Sequence, residues 1–299
     1  VTVDGSRTVQ RWRPMAAVLL DYAHRPLRLI DRDTEQTIAN TIPDMVTLHL
    51  MGGLGLTRWL SLAFDLPVVA FQSFDRATPI ADVPTAPSSY GLGDIRLVAK
   101  ARIVNNTAGG FGLAFVPQVT FASGEGTQFR GANAYGFEPR LALDYRTPAG
   151  AIIALNVGFL GRTSNQVVGR MEVGSQVRYG IGMFVPLAEG FGLLGEVAGG
   201  TSVNNIKSGN IYSPLEGLVG GRWVHSTGIN VNLGAGMGFT EAVGSPQVRM
   251  FASIGYAPME RHTAAATPPA PPPIGLPTTG IVLVEKSGSG AGAVTSYPR

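Results

Sequence analysis

Cysteine is absent from the sequence, which removes disulfides, thiolate metal sites and thiol nucleophiles from consideration. Charge is scarce as well, with Asp, Glu, Lys and Arg at 14% of residues against roughly 25% in soluble domains, so something other than a charged surface keeps the chain dispersed. No apolar run approaches the roughly 18 residues of a membrane helix, and any bilayer crossing must therefore be made by strands. The net charge of +3 is small and its basic residues are scattered among the strand-like runs, which gives nucleic acid no face to bind. The start at Val1 lacks a charged-then-apolar leader, as a mature or trimmed export product would.

What is present is glycine, 40 residues, and proline, 21, between runs that alternate with a period of two. The clearest lies between 229 and 256. Ile229, Val231, Leu233, Ala235, Met237 and Phe239 share one face of a strand, with Asn230, Asn232, Gly234, Gly236 and Gly238 on the other. The next run sets Val248, Met250, Ala252, Ile254 and Tyr256 against Gln247, Arg249, Phe251, Ser253 and Gly255. One continuous apolar face and one polar, glycine-rich face make a wall between lipid and water.

Twelve such runs follow one another: Met15 to Tyr22, Met45 to Leu56, Trp59 to Phe71, Gly93 to Val104, Phe111 to Ala122, Ala134 to Arg146, Ala151 to Gly161, Ser175 to Val185, Phe191 to Gly200, Ser213 to His225, Ile229 to Phe239 and Gln247 to Tyr256. Long segments, Ala23 to Asp44 among them, alternate with short turns such as Thr57 to Arg58. The spacing predicts an all-β fold: a transmembrane up-and-down antiparallel β-barrel of about twelve strands over 15–258 in a bacterial outer membrane. An N-terminal periplasmic segment, 1–14, precedes it, and a Pro-rich periplasmic linker and tail, 259–299, follows. In the first long segment, Asp33 and Gln36 suit a helical turn as well as an extended second strand.

Aromatics support the membrane placement. Tyr22, Phe121, Tyr135, Phe159 and Phe239 stand at the long-loop ends of the apolar faces, and Phe111, Tyr145, Phe191, Trp223 and Tyr256 at the short-turn ends. Ten steps separate Phe111 from Phe121, which at ~3.3 Å per residue and a tilt of about 40° gives roughly 25 Å, the height of an outer-membrane apolar band. Lipid and lipopolysaccharide are then the outer partners. In the tail, Ile281 to Glu285 is a short strand candidate for a periplasmic protein partner.

The inward faces carry paired charge: Asp21, Asp65, Asp94, Glu138, Asp144, Glu196 and Glu216 against Arg96, Lys100, Arg102, Arg140, Arg146, Arg178, Arg222 and Arg249. Either these brace the lumen or they select solutes in a narrow pore. Glycines 180, 182, 234, 236 and 238 leave room into which Arg96, Lys100, Arg102, Arg178 and Arg249 reach. Of the histidines, His49 alone is mid-strand and polar-facing, and no lipase-type signature surrounds any of them. No metal constellation or cofactor motif is visible, and no catalytic residue is assigned.

The stretches VQRWRP at Val9 to Pro14, DYAHRPL at Asp21 to Leu27, GLGDIRLVAKARIV at Gly91 to Val104 and GSPQVRMFASIGYAP at Gly244 to Pro258 resemble the N-terminal β-barrel of OmpA-family outer-membrane proteins of myxobacteria and related bacteria. That resemblance spans roughly 9–258. It implies an outer-membrane barrel, in a family where acidic calcium-type repeats and a peptidoglycan-binding domain usually follow; neither is visible here, so peptidoglycan binding is not carried over. The expected function is a structural, envelope-anchoring barrel with at most a narrow, weakly anion-preferring pore. A porin-like channel or transporter for small polar solutes is the second reading, and an outer-membrane lipid hydrolase the third.

Overall fold

A computed structural model describes residues 3–30, 37–75, 88–106, 109–168, 171–203, 212–242 and 244–258. Its strands are β1 (Pro14–Ile30), β2 (Thr37–Gly55), β3 (Leu60–Gln72), β4 (Gly91–Leu92), β5 (Arg96–Val104), β6 (Gly110–Thr120), β7 (Gly136–Arg146), β8 (Ile152–Arg162), β9 (Gln166–Val168), β10 (Met171–Val173), β11 (Gln176–Ala188), β12 (Phe191–Ser202), β13 (Leu215–Val224), β14 (Ile229–Gly238) and β15 (Val248–Tyr256). Twelve of them are wall strands, each antiparallel to its sequence neighbour in the wall. β4 is a two-residue addition to β3, and β9 and β10 form a small separate hairpin. The wall closes because β1 pairs with β2 on one side and with β15 on the other, with Ala16 opposite Tyr256 and His24 opposite Val248. Closure leaves the wall without an edge, the condition for strands to cross lipid with every backbone group bonded.

The side-chain alternation survives without slippage where it was clearest in sequence. Along β14 every odd residue from Ile229 to Met237 is exposed and every even one is partly covered, and Leu233, at mid-wall, is 66% exposed. Such exposure of large apolar groups suits hydrocarbon and would be unfavourable in water. Nine of the ten expected girdle residues are exposed, and the tenth, Tyr22, is half-buried with its hydroxyl donated to Asp44. Phe111 and Tyr145, paired across β6 and β7, meet at a tilt with ring centroids 4.8 Å apart at one end, and Phe121 and Tyr135, just beyond the same strands, meet edge-on at 6.5 Å at the other. Phe64, Phe71, Phe115 and Phe137 add to the same outer surface.

Strand ends differ from expectation chiefly in the first hairpin. The segment 23–44 was expected as loop, whereas β1 continues to Ile30 and β2 begins at Thr37, so the pair projects past the wall. The extension is irregular, with register shifts after His24 and Leu27 and with Arg25 at φ 51°. It is held by burial: Leu27 and Ile42 are enclosed and pack with Met45, Phe74 and Phe129, a small apolar core outside the barrel that a linear reading of the sequence does not bring together. Asp33, Gln36, the Pro-rich tail and Ile281 to Glu285 lie outside the described residues.

Leu233→Arg should lower unfolding free energy by about 2 to 4 kcal/mol, whereas Asn232→Arg, one residue away and facing inward, should cost much less. Urea titration of the protein in lipid vesicles measures both. Equal losses would mean that the two faces are wrongly assigned.

Candidate functional site

The inward faces enclose a cavity of about 970 Å³ that reaches from Gly244, in a long loop, to Ala257, beyond the short-turn end of β15. Eight bases line it, Arg7, Arg96, Lys100, Arg140, Arg162, Arg178, Arg222 and Arg249, against six acids, Asp4, Asp21, Asp65, Glu138, Glu196 and Glu216. Arginines fit this position because their long stems reach into water from a wall whose own backbone is fully occupied.

Three clusters of these charges tie strands together. Arg249, on β15, donates to Asp21 on β1 at 2.7 and 2.8 Å and to Glu216 on β13 at 3.0 and 3.1 Å, so a single guanidinium joins three strands. Its planar fork is what allows both carboxylates to be met at once. On β2, His49 Nδ1 lies 2.9 Å from Asp65 of β3, and Arg96 of β5 is 3.7 Å from the same carboxylate. Farther round, Glu138 is nearly enclosed, 3.3 Å from Arg140 and 3.7 Å from Arg178.

The largest departure from the sequence reading is the segment before β1. It was expected as a periplasmic extension; instead, residues 3–8 lie inside the barrel. Thr8 Oγ1 donates to the Arg58 carbonyl at the short-turn end. The Ser6 amide donates to Asp144 at 3.0 Å, and the other oxygen of Asp144 accepts from Asn106 at 2.7 Å. Higher in the barrel, Asp4 accepts from Lys100 at 2.7 Å and Arg140 at 3.0 Å. Its backbone is clasped by Asn156, whose Oδ1 accepts the amide at 2.7 Å and whose Nδ2 donates to the carbonyl at 2.8 Å. The Val3 amide faces Glu196 at 3.4 Å.

The glycines take their meaning from this segment. A Cβ at Gly180 would stand 2.9 Å from Val3 Cγ2 and one at Gly182 would stand 3.1 Å from Val3 Cβ, so these positions on β11 are bare because the chain's own segment lies against them. The expectation that long bases fill the glycine side is corrected here. At Gly234 the space is taken by Phe251, an aromatic on the inward face that is only 4% exposed, at Gly236 by Leu218, and at Gly238 by Ser245.

Of the expected lumen charges, Asp21, Asp65, Arg96, Lys100, Glu138, Arg140, Arg178, Glu196, Glu216, Arg222 and Arg249 line the cavity. Four do not: Arg146 is the last residue of β7, and the other three take other places. Asp94 accepts the amides of Gly124 at 2.9 Å and Ala132 at 2.7 Å and so fixes a long loop. Arg102 donates to the Arg58 carbonyl in a short turn, and Asp144 is enclosed by Ser6 and Asn106. Each lies at or near a strand end, where alternation predicts an inward direction but not whether the barrel axis or a loop receives the side chain. Sequence reasoning missed Asp4, Arg7, Asn106, Gln118, Asn156 and Arg162. An amide at 156, on the inward face of the apolar run Ile152 to Leu160, was the signal available for one of them.

The described histidines are held by neighbours on the strands or turns. His24 Nδ1 lies 2.9 Å from Asp44, whose carboxylate also accepts from Tyr22 at 2.7 Å. His225 Nδ1 is 2.9 Å from Thr227 Oγ1. Neither of these, nor His49 with Asp65, brings a serine hydroxyl to the imidazole among the described residues.

A closed wall with an exposed apolar exterior and a charged interior defines a bacterial outer-membrane β-barrel, and solved structures of a channel and of porins share this fold. A crystal structure of an outer membrane channel from Pseudomonas putida F1 superposes with a TM-score of 0.60 over 86% of this chain and 99% of that one, at 12% identity. The NanC porin gives 0.54 over 82% and 99%, at 7% identity, and the KdgM porin solved with disordered oligogalacturonate gives 0.50 over 81% and 98%, at 8%. A family model described as "Putative MetA-pathway of phenol degradation" matches residues 46–239, from within β2 to the end of β14, and the chain belongs to that family. No curated protein matches it in sequence. The resemblance to the OmpA-family barrel is therefore corrected: the stretches that carried it lie mostly on alternating wall strands, a pattern that lipid imposes on any such barrel and that does not separate one family from another.

Arg249→Ala leaves Asp21 and Glu216 facing each other without their common cation. The loss in unfolding free energy should be about 2 to 3 kcal/mol, below the fully buried case because water reaches the cavity. Tryptophan fluorescence through a urea titration reads it, and an unchanged midpoint would show that β1, β13 and β15 do not depend on the ion pairs.

Proposed function

We propose that the protein is a passive outer-membrane channel for small polar solutes, with a mild preference for anions, and that residues 3–8 narrow its bore. The observation that carries this reading is the cavity that remains beside that segment, reaching from a long loop at one end to the short-turn end at the other. Envelope anchoring, the first expectation from sequence, has less support, because the related folds are channels and the interior keeps open space lined by charge. The surplus of bases over acids around the cavity favours anions over cations of the same size. Arg222 contributes at one end and Arg96 and Arg178 nearer the other, the latter two with side chains 41% and 40% exposed to the cavity. Phenol degradation, named in the family's description, fits small phenolic or carboxylic solutes as the cargo. Enzymatic chemistry is not part of the proposal: the described histidines hold strands and turns through carboxylates and a threonine. Short turns are taken to face the periplasm, following the general rule for such barrels.

Planar-bilayer recording tests the proposal. The natural chain should give small, steady, weakly anion-selective currents, and deletion of residues 3–8 should raise the conductance severalfold. General-porin-sized conductance that the deletion leaves unchanged would overturn the role given to the segment, and a silent deletion variant would overturn the channel.

A further inference from the structure

The way Asp4 is held points to more than an obstruction. Its carboxylate meets two cations from different strands, Lys100 of β5 at 2.7 Å and Arg140 of β7 at 3.0 Å. Arg140 is itself braced by Gln118 at 3.3 Å and by Glu138 at 3.3 Å, so its guanidinium stays aimed without Asp4. Asn156 supplies a donor and an acceptor alongside. These groups come from the wall, while the carboxylate comes from a short segment that no wall strand requires for its own hydrogen bonds. All three wall residues, and Asp4 itself, line the cavity, and Asp4 is 30% exposed within it.

We propose that Lys100, Arg140 and Asn156 form a binding site for a small monocarboxylate, occupied in this structure by the chain's own Asp4. A solute carboxylate entering the bore offers the same two charge-assisted hydrogen bonds that Asp4 makes. It competes with a tethered group, and a tether of a few residues keeps that group at an effective concentration in the millimolar range. Weak net affinity follows, which suits passage, since a site that bound its solute tightly would hold it. Displacement of Asp4 also releases Val3 from Gly180 and Gly182 and widens the bore where the solute sits. Solute binding and opening are thus one event. The inference rests on the channel reading only in requiring that solutes reach this depth.

The test uses the full chain in detergent micelles and 4-fluorobenzoate as a carboxylate probe, followed by ¹⁹F NMR, with 4-fluorobenzamide as the neutral control. Asp4→Ala should bind the carboxylate at least about ten-fold more tightly than the natural chain, because the competing group is gone. Binding of the amide should not change. Adding Lys100→Met and Arg140→Met to the Asp4→Ala chain should abolish the gain. If Asp4→Ala does not reach the heat-modifiable folded form, deletion of residues 3–8 removes the same carboxylate and gives the same reading. Equal binding of carboxylate and amide, or a gain that survives the Lys100→Met and Arg140→Met pair, would overturn the site. A variant that binds 4-fluorobenzoate selectively yet passes no current would overturn the channel reading and leave the site standing.

Discussion

Closure of the wall is the constraint on which the rest of the structure depends. In hydrocarbon an unbonded amide or carbonyl costs several kcal/mol, so the strand that begins the wall must find the strand that ends it, and β1 does so along its register with β15 from Ala16 to His24. Once the ring is shut, each residue on a wall strand has only two directions available. Outward positions must tolerate lipid, which selects Leu233, Ile254 and Met250; inward positions face a confined aqueous space, which selects glycine, amides and long charged side chains. The composition, poor in charge and rich in glycine, is a direct result.

Confinement then decides how the inward charges behave. A twelve-stranded ring is wider than side chains alone fill and narrower than an open porin, so its interior needs a filler to be narrow. Here the filler is polypeptide. Residues 3–8 lie against the glycines of β11 and bring a carboxylate to Lys100 and Arg140, two cations from nearby strands on one side of the lumen. Farther round the wall, Phe251 and Leu218 occupy the space over the glycines of β13 and β14, and the cavity is the space that these fillings leave. Ion pairs such as Arg249 with Asp21 and Glu216 are cross-strand braces and also fix the positions of the charges that a solute meets.

The long-loop end is built on a different principle from the wall. There the first hairpin leaves the membrane and buries Leu27 and Ile42 against Phe74 and Phe129, as a soluble domain would. Asp94 holds the loop that carries Phe129 by accepting two of its amides, and Arg130 in the same loop bonds Ser88 and Glu125. The described parts of these loops are therefore joined by side-chain hydrogen bonds.

Sequence by itself determined the wall. Alternation with period two is a local property, repeated in every strand, and lipid on one side with water on the other leaves it no freedom; Leu233 outward and Asn232 inward could be read from one run of residues, as could the two aromatic rings. It likewise determined which charges point inward, since that follows from strand parity. Tertiary structure alone decided what each charge meets. Asp4 is separated from Arg140 by 136 positions and Arg249 from Asp21 by 228, and no local pattern encodes such pairings. The segment before β1 is polar and has no period, so nothing in it announces a place inside the barrel; it lies there because the closed ring leaves bare glycines, two cations and an asparagine that a short peptide can satisfy. Family membership was equally illegible from the strands, because lipid imposes the same alternation on every barrel that crosses it.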